Sequence, residues 1–159
     1  MRAAVLAPLG AIEGVSFKVL SMALADLLLG ADPRRTLWIE AGAGMVAVDT
    51  LVHNWLARTG ILRGFDAEHA YGPLCYAPGR CAALITAAAE WIDARAFCRE
   101  GPATFSRLIQ HVVWRFCAEG YLGICNGNRI DDRFACGQWD CPVGEICERV
   151  PLQAVQYVT

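Results

Sequence analysis

Eight cysteines constrain this chain more than any other feature, because each must be matched to a metal ion, a disulfide partner or an apolar interior. Small disulfide-stapled proteins spread their cysteines over loop-rich sequence. Here the first 116 residues have the apolar periodicity of helices, and five cysteines fall in the last 43 residues: Cys117, Cys125, Cys136, Cys141 and Cys147. Metal ligation in this C-terminal tail is therefore the favoured interpretation, and disulfides in an exported protein are the alternative.

The composition limits the class of protein. With 159 residues, 55% of them hydrophobic, the chain is long enough for one core, and we expect one domain. A net charge of -2 provides no general basic field, so any DNA contact must be local. The longest uncharged runs, such as residues 3–12 and 41–48, are shorter than the roughly 18 to 20 residues that a bilayer requires. We therefore expect a cytoplasmic, bacterial-type protein with no membrane segment.

Apolar residues at helical spacing predict an all-α fold. We predict helices that end at Gly30 and Gly60 and others over about 82–94 and 102–119, with a linker at 31–44 and a loop at 64–80. Beyond residue 119 the sequence is rich in Gly, Asn, Asp and Cys, which favours turns. The expected organisation is a helical domain over 1–119 with a Cys-rich metal-binding tail over 120–159 packed on it.

The stretch LGAIEGVSFKVLSMAL, residues 9–24, combines a tight turn with an unusual cation. We predict a turn at residues 14–16 and then a helix whose first turn carries Lys18. This is the only lysine of the chain, beside thirteen arginines. In most proteins a lysine in this position is simply solvated.

This stretch resembles the helix-hairpin-helix signature of the DNA glycosylase superfamily that includes endonuclease III and the 8-oxoguanine glycosylases, approximately L-P-G-V-G-x-K-x-A. Gly14, Val15 and Lys18 match the pattern. Glu13 stands in place of the proline and Ser16 in place of the second glycine. The resemblance implies a helix-hairpin-helix glycosylase-like helical domain.

A second stretch, VDTLVHNWLARTGI at residues 48–61, resembles the V-D-T-H-V segment of the same superfamily, whose aspartate is catalytic. Asp49 is the matching residue, and Leu51 replaces the histidine. Asp49 also precedes an apolar helical stripe, so we predict that it caps a helix. Two motifs in the family order, each with its reactive residue, give the resemblance most of its weight, although the separation of Lys18 and Asp49 is longer than in endonuclease III.

The resemblance implies a base-excision-repair glycosylase with abasic-site lyase activity. An amine such as Lys18 can form a Schiff base with the sugar, whereas an arginine stays protonated and cannot. Asp49 would stabilise positive charge on the sugar, and the backbone amides of Gly14, Val15 and Ser16 would hold a phosphate of double-stranded DNA containing a damaged base or abasic site. The alternative is a non-catalytic DNA-binding or interaction module with the same fold and a metal-stapled tail.

Family members carry several helices ahead of the hairpin, whereas eleven residues precede Ile12. We expect either a member lacking this N-terminal part or a second chain that supplies the missing helices.

The tail resembles the [4Fe-4S] segment of endonuclease III relatives, spaced C-x6-C-x2-C-x5-C. The final step matches, since five residues separate Cys141 from Cys147, but ten residues separate Cys125 from Cys136 and four separate Cys136 from Cys141. The resemblance implies these four residues as cluster ligands, with Cys117 as a substitute first ligand. Zinc and disulfides remain the alternatives.

Other residues of metal-binding type show no recognisable spacing. Cys75, Cys81 and Cys98 are interpreted as buried or loop thiols. His53 lies one helical turn after Asp49 and is expected to be a hydrogen-bonded or exposed histidine. The run FDAEHAYG, which contains His69, is expected to be a solvated loop.

Overall fold

The computed structural model describes residue 6 and residues 8–134, 136–139 and 141–152. In these ranges the regular elements are helical and no strand is present, which confirms the all-α prediction. None of the described helices is both long and apolar enough to cross a bilayer. The helices are α1 (Phe17–Leu29), α2 (Thr36–Ala43), α3 (Thr50–Arg58), α4 (Ile61–Gly64), α5 (Cys81–Glu90) and α6 (Ser106–Cys117), with 3-10 turns at Pro73–Tyr76 and Ala94–Ala96.

The predicted turn and helix around the single lysine are present. Gly14 has a φ of 81°, in the left-handed region that glycine adopts without a steric penalty. The side chain of Ser16 caps α1 by accepting a hydrogen bond from the backbone N of Val19 at 3.3 Å. Lys18 therefore lies in the first turn of α1, and the helix ends at its C-cap residue Gly30 as predicted.

The segment 31–44 is not a linker, because it contains α2. α2 packs on α1 through a close approach at Gly42, where an added Cβ would lie 2.9 Å from the Cγ of Leu29 and 3.0 Å from the Cβ of Leu28. The small size of Gly42 lets the two helices meet. Because glycine disfavours a helix, the same residue made the segment look like a linker.

The chain forms two compact units, each built from two stretches of sequence. Unit 1 comprises the described residues up to 47 together with 82–111, and unit 2 comprises 48–81 together with the described residues from 112 onward. Small apolar side chains dominate the core of unit 1: Leu20, Ala25, Ala41, Ala43, Met45, Val46, Ala47, Ala82, Ile85, Ala89 and Ala94. The core of unit 2 includes Val48, Val52, Leu56, Ala57, Leu62, Ala67, Cys75, Cys81, Cys117, Ala118, Val150 and Leu152.

Within unit 2, the tail is anchored at the end of α3. The backbone N of Val150 donates to the carbonyl of Arg58 at 2.9 Å. The Arg58 side chain forms an ion pair with Asp132, with Nη1 and Oδ1 2.6 Å apart, and both side chains are at least nine-tenths buried. One residue of α3 thus holds two separate points of a segment that is otherwise built from turns.

Candidate metal centre

Two cysteines and two histidines of unit 2 converge on one buried point. They are His53 on α3, His69 in the loop after α4, Cys75 in the 3-10 turn and Cys81 at the start of α5. One ligand atom from each residue lies within 4.8 Å of the other three. All four residues are between 0% and 4% exposed. We call these four residues the quartet, and its geometry allows it to hold a metal ion.

Helix α3 directs the first member of the quartet inward. Asp49 begins the helix, since its Oδ1 accepts a hydrogen bond from the backbone N of Val52 at 2.9 Å, as the sequence predicted. His53 follows one turn later and donates its backbone N–H to the Asp49 carbonyl at 3.0 Å. Its side chain falls on the same buried face as Val52 and Leu56. The position of His53 therefore follows directly from the cap that starts α3.

Hydrogen bonds to backbone carbonyls fix the loop that carries His69. The N–H of Ala67 donates to the carbonyl of Leu62 at 2.7 Å. Nη1 of Arg80 donates to the carbonyl of Glu68 at 3.1 Å and to that of Asp66 at 3.4 Å. Because Arg80 directly precedes Cys81, the same side chain ties the histidine loop to the start of α5.

The distances within the quartet suit a tetrahedral metal site. Sγ of Cys75 lies 3.5 Å from Nδ1 of His53, and Sγ of Cys81 lies 3.4 Å from the same nitrogen. Sγ of Cys81 also lies 3.5 Å from Nε2 of His69. Zinc bonds of about 2.3 Å to sulfur and 2.0–2.1 Å to nitrogen place tetrahedral S and N ligands about 3.6 Å apart. The observed separations agree with that value.

The neighbouring carbonyl fixes which nitrogen of His69 faces the quartet. Nδ1 of His69 lies 2.6 Å from the carbonyl oxygen of Ala67, and a carbonyl can only accept, so this nitrogen carries the proton. Nε2 is then left with a lone pair, which points towards Cys81. A histidine whose second nitrogen donates to a carbonyl is the usual arrangement of a metal ligand.

The two thiols of the quartet have opposite acidities. The hydrogen bond from Cys81 lowers the pKa of Cys75 to about 4, because a neighbouring S–H stabilises the thiolate. The same hydrogen bond, together with burial, raises the pKa of Cys81. The sulfur of Cys75 is therefore the thiolate of the pair, which is the form that binds metals.

The predicted catalytic residues lie in different units. Lys18 is half-buried in the first turn of α1 in unit 1, and Asp49 is the N-cap of α3 in unit 2. Their catalytic pairing stays a prediction. Of the predicted phosphate-binding residues, Gly14 and Ser16 form the turn before α1, and the amide of Val15 donates to the carbonyl of Ile12 at 3.2 Å within that turn.

The four predicted cluster cysteines border one cavity of unit 2. Its volume is about 300 Å³, and the lining includes Cys125, Cys136, Cys141 and Cys147. All eight cysteines of the chain are free thiols in this structure. In the described part of the chain these four sulfurs are not gathered as tightly as the ligand atoms of the quartet. The four tail cysteines thus line a cavity, whereas the ligand atoms of the quartet converge on one point.

The remaining tail cysteine, Cys117, is fully buried at the end of α6. Its hydrogen bond with Cys125 raises the pKa of Cys117, and burial acts in the same direction. The same hydrogen bond lowers the pKa of Cys125. Of these two residues, Cys125 is therefore the better thiolate donor.

The sequence interpretation missed the quartet. The expectation that His69 lies in a solvated loop is wrong, because its side chain is buried and belongs to the quartet. Cys75 and Cys81 are buried thiols as expected, but they belong to a ligand group that the sequence did not reveal. The available signal was the presence of two histidines and two cysteines within residues 53–81, around a loop rich in glycine and proline.

Comparison of the chain with family models, curated proteins and solved structures finds no match. The resemblance to the glycosylase superfamily therefore rests on the sequence motifs.

Proposed function

We propose that this protein is a base-excision-repair DNA glycosylase with abasic-site lyase activity. The observation that carries the proposal is the placement of the only lysine of the chain, in the first turn of a helix that is entered through a left-handed glycine and a serine cap. Asp49 adds support, since the second motif also begins a helix at its reactive residue.

The proposed reaction uses the amine of Lys18 as a nucleophile. Its deprotonated nitrogen adds to C1′ of the sugar at an abasic site, and loss of water gives a protonated imine. Positive charge develops on the sugar when the damaged base leaves, and the carboxylate of Asp49 stabilises that charge. The imine makes the hydrogens at C2′ acidic; loss of one of them to solvent as a proton forms a C2′–C3′ double bond and expels the 3′ phosphate, which breaks the DNA strand.

The turn before α1 supplies the DNA contact in this proposal. Backbone N–H groups in a tight turn can bind a phosphate without a basic surface, which suits a chain with a net charge of -2. Because the amide of Val15 already donates to Ile12, the contact falls to the amides of Gly14 and Ser16. Extrusion of the target nucleotide costs a few kcal/mol, which other contacts must offset.

We propose further that the tail holds a [4Fe-4S] cluster through Cys125, Cys136, Cys141 and Cys147. The support is that all four line one cavity. Each thiolate of such a cluster binds a different iron atom, so the ligands must surround the cluster rather than meet at one point. Zinc is the competing occupant. A brown protein with about four iron atoms per chain supports the cluster, and a colourless protein with zinc in the tail supports the alternative.

Borohydride trapping tests the enzymatic proposal. Intact protein is incubated with duplex DNA that contains one abasic site, and sodium borohydride reduces any imine to a stable covalent adduct. With the N-terminal amine blocked, we expect an adduct for the wild type and none for Lys18→Ala or Lys18→Arg. Lys18→Arg is the matched control, because it keeps the charge and removes the nucleophile. Wild-type protein that forms no adduct contradicts the proposal, as does an adduct that persists in both variants.

A second candidate is a non-catalytic DNA-binding or interaction module. Its support is the quartet, since a closed set of four buried protein ligands is the kind of structural site that a folded module needs without any chemistry. Fluorescence anisotropy with the same duplex separates the two functions. Binding by wild type and by Lys18→Ala without any trapped adduct indicates the module, whereas trapping that requires Lys18 indicates the enzyme.

A further inference from the structure

We infer that the quartet is a zinc site, and that the ion has a structural role separate from both the tail cysteines and the proposed catalysis. The inference does not rest on the proposed function. It starts from the observation that four ligand atoms from four separate elements converge within 4.8 Å.

A network of thiol–imidazole hydrogen bonds explains this arrangement less well than a metal ion. Nδ1 of His53 lies at nearly equal distances from the sulfurs of Cys75 and Cys81, 3.5 and 3.4 Å. A ring nitrogen takes part in one ordinary hydrogen bond, so it cannot satisfy both sulfurs. One ion between the three atoms satisfies them together. The protonation of His69 at Nδ1 leaves Nε2 able to serve as the fourth ligand.

Charge balance also favours a divalent ion. Metal binding deprotonates both thiols, that of Cys81 included, and two thiolates with two neutral imidazoles then carry a total charge of -2, which a divalent cation neutralises. The quartet residues are between 0% and 4% exposed, and an uncompensated charge in such a place is costly. A neutral complex avoids that cost.

The donor set selects zinc among common divalent ions. Calcium and magnesium prefer oxygen ligands, and none of the four donors is an oxygen. A tetrahedral set of two sulfurs and two nitrogens is typical of zinc. Because all four positions are protein ligands, the site is closed, which is the arrangement of structural rather than catalytic zinc.

The ion would join the elements that surround Asp49. It links α3, through His53, to the start of α5, through Cys81. It also binds the loop of residues 64–80 through His69 and Cys75. The same region is tied to the residue before Asp49, since the hydroxyl of Tyr76 accepts a hydrogen bond from the backbone N of Val48 at 2.9 Å. Zinc therefore fixes the helix start on which Asp49 is displayed, without contacting Asp49 itself.

Metal analysis of the full chain tests the inference. After gel filtration in the presence of a weak chelator, we expect Cys81→Ser to contain one equivalent of zinc less than wild type. Cys98→Ser, which changes a half-buried thiol outside the quartet, is the matched control and keeps that zinc. Cys141→Ser is expected to lose the metal of the tail and to keep the zinc of the quartet. Equal zinc in wild type and Cys81→Ser overturns the inference, as does wild type with less than one equivalent.

If Cys81→Ser fails to fold, cobalt substitution in Cys141→Ser, in which the tail site lacks one of its thiolates, provides the decision. Cobalt(II) in the quartet should show the visible bands of a tetrahedral ion and charge-transfer absorption from two thiolates. X-ray absorption should resolve two sulfur and two nitrogen ligands. An octahedral spectrum or a sulfur-free coordination shell overturns the inference. Neither measurement involves DNA, so failure of the zinc site and failure of the glycosylase proposal are separate outcomes.

Discussion

Removal of the buried Asp132 carboxylate should destabilise the protein far more than removal of the adjacent Asp131 carboxylate. In Asp132→Ala the guanidinium of Arg58 loses a partner 2.6 Å away, in a place where its own side chain is 6% exposed. Breaking a buried ion pair by deleting one member typically costs about 3–5 kcal/mol, since the remaining charge is left unpaired. That corresponds to a shift of roughly a hundred- to several-thousand-fold in the folding equilibrium.

Urea unfolding followed by circular dichroism measures this loss. With an m value of about 2 kcal/mol per M, the expected decrease in the urea midpoint is about 1.5–2.5 M. Asp131→Ala is the matched control, because Asp131 pairs with Arg133 at the surface, where the Arg133 side chain is 81% exposed. Its midpoint should stay close to that of wild type, since exposed ion pairs are screened by water.

A double variant separates the ion pair from simple loss of volume. Arg58→Met combined with Asp132→Leu removes both charges and keeps most of the apolar contact, so it should recover much of the stability lost in Asp132→Ala. Equal midpoints for Asp132→Ala and Asp131→Ala refute the reasoning. A double variant no more stable than Asp132→Ala also refutes it.

Three further results are expected. Asp49→Ala should lower the free energy of unfolding by about 1 kcal/mol in urea titrations, because it removes the cap of α3. Asp49→Asn keeps a capping oxygen, so it should preserve stability and yet lose any lyase activity. A loss of stability in both variants contradicts the separation of the capping role from the catalytic role. Gly60→Ala should cost about 1–2 kcal/mol, because Gly60 has a φ of 87°, in the left-handed region. The added Cβ meets only the side chain of Glu148, which is exposed and can move aside. Gly64→Ala, with open space around its Cβ, is the control, and equal urea midpoints for the two variants argue against the strain. Hydrogen bonds from Arg95 lower the pKa of Asp93 to about 2. The contact between the two side chains therefore stabilises the fold above about pH 4, and this contribution is lost as the pH falls towards 2. An NMR titration of the Asp93 carboxyl with a midpoint near 4 contradicts this.

The sequence was most informative where local chemistry decides the structure. Asp49 was predicted to cap a helix and does so. The turn predicted at residues 14–16 leads into α1, and the structure adds that Ser16 is the cap of that helix. Glycine at position 30 marked the end of α1 correctly. These features depend on residues within about four positions of each other, which is the range over which sequence alone constrains the backbone.

The quartet could not be inferred in the same way. Its members come from a helix, a loop, a 3-10 turn and a helix start, and fifteen residues separate His53 from His69. The contacts depend on how the loop folds back, which is set by backbone hydrogen bonds such as that between Ala67 and Leu62. The helix α2 was missed for a related reason, since its glycine at position 42 disfavours a helix locally but permits tight packing against α1.

The division of unit 2 between two stretches of sequence has a consequence for the order in which the protein is made. Every ligand of the quartet lies in the first stretch, 48–81, and the tail cysteines lie in the second, from 112 onward. During synthesis, the nascent polypeptide presents all four ligands of the proposed zinc site while the second half of unit 2 has still to leave the ribosome. Under the zinc inference, the ion can bind before unit 2 is complete and act as a template on which the later residues assemble.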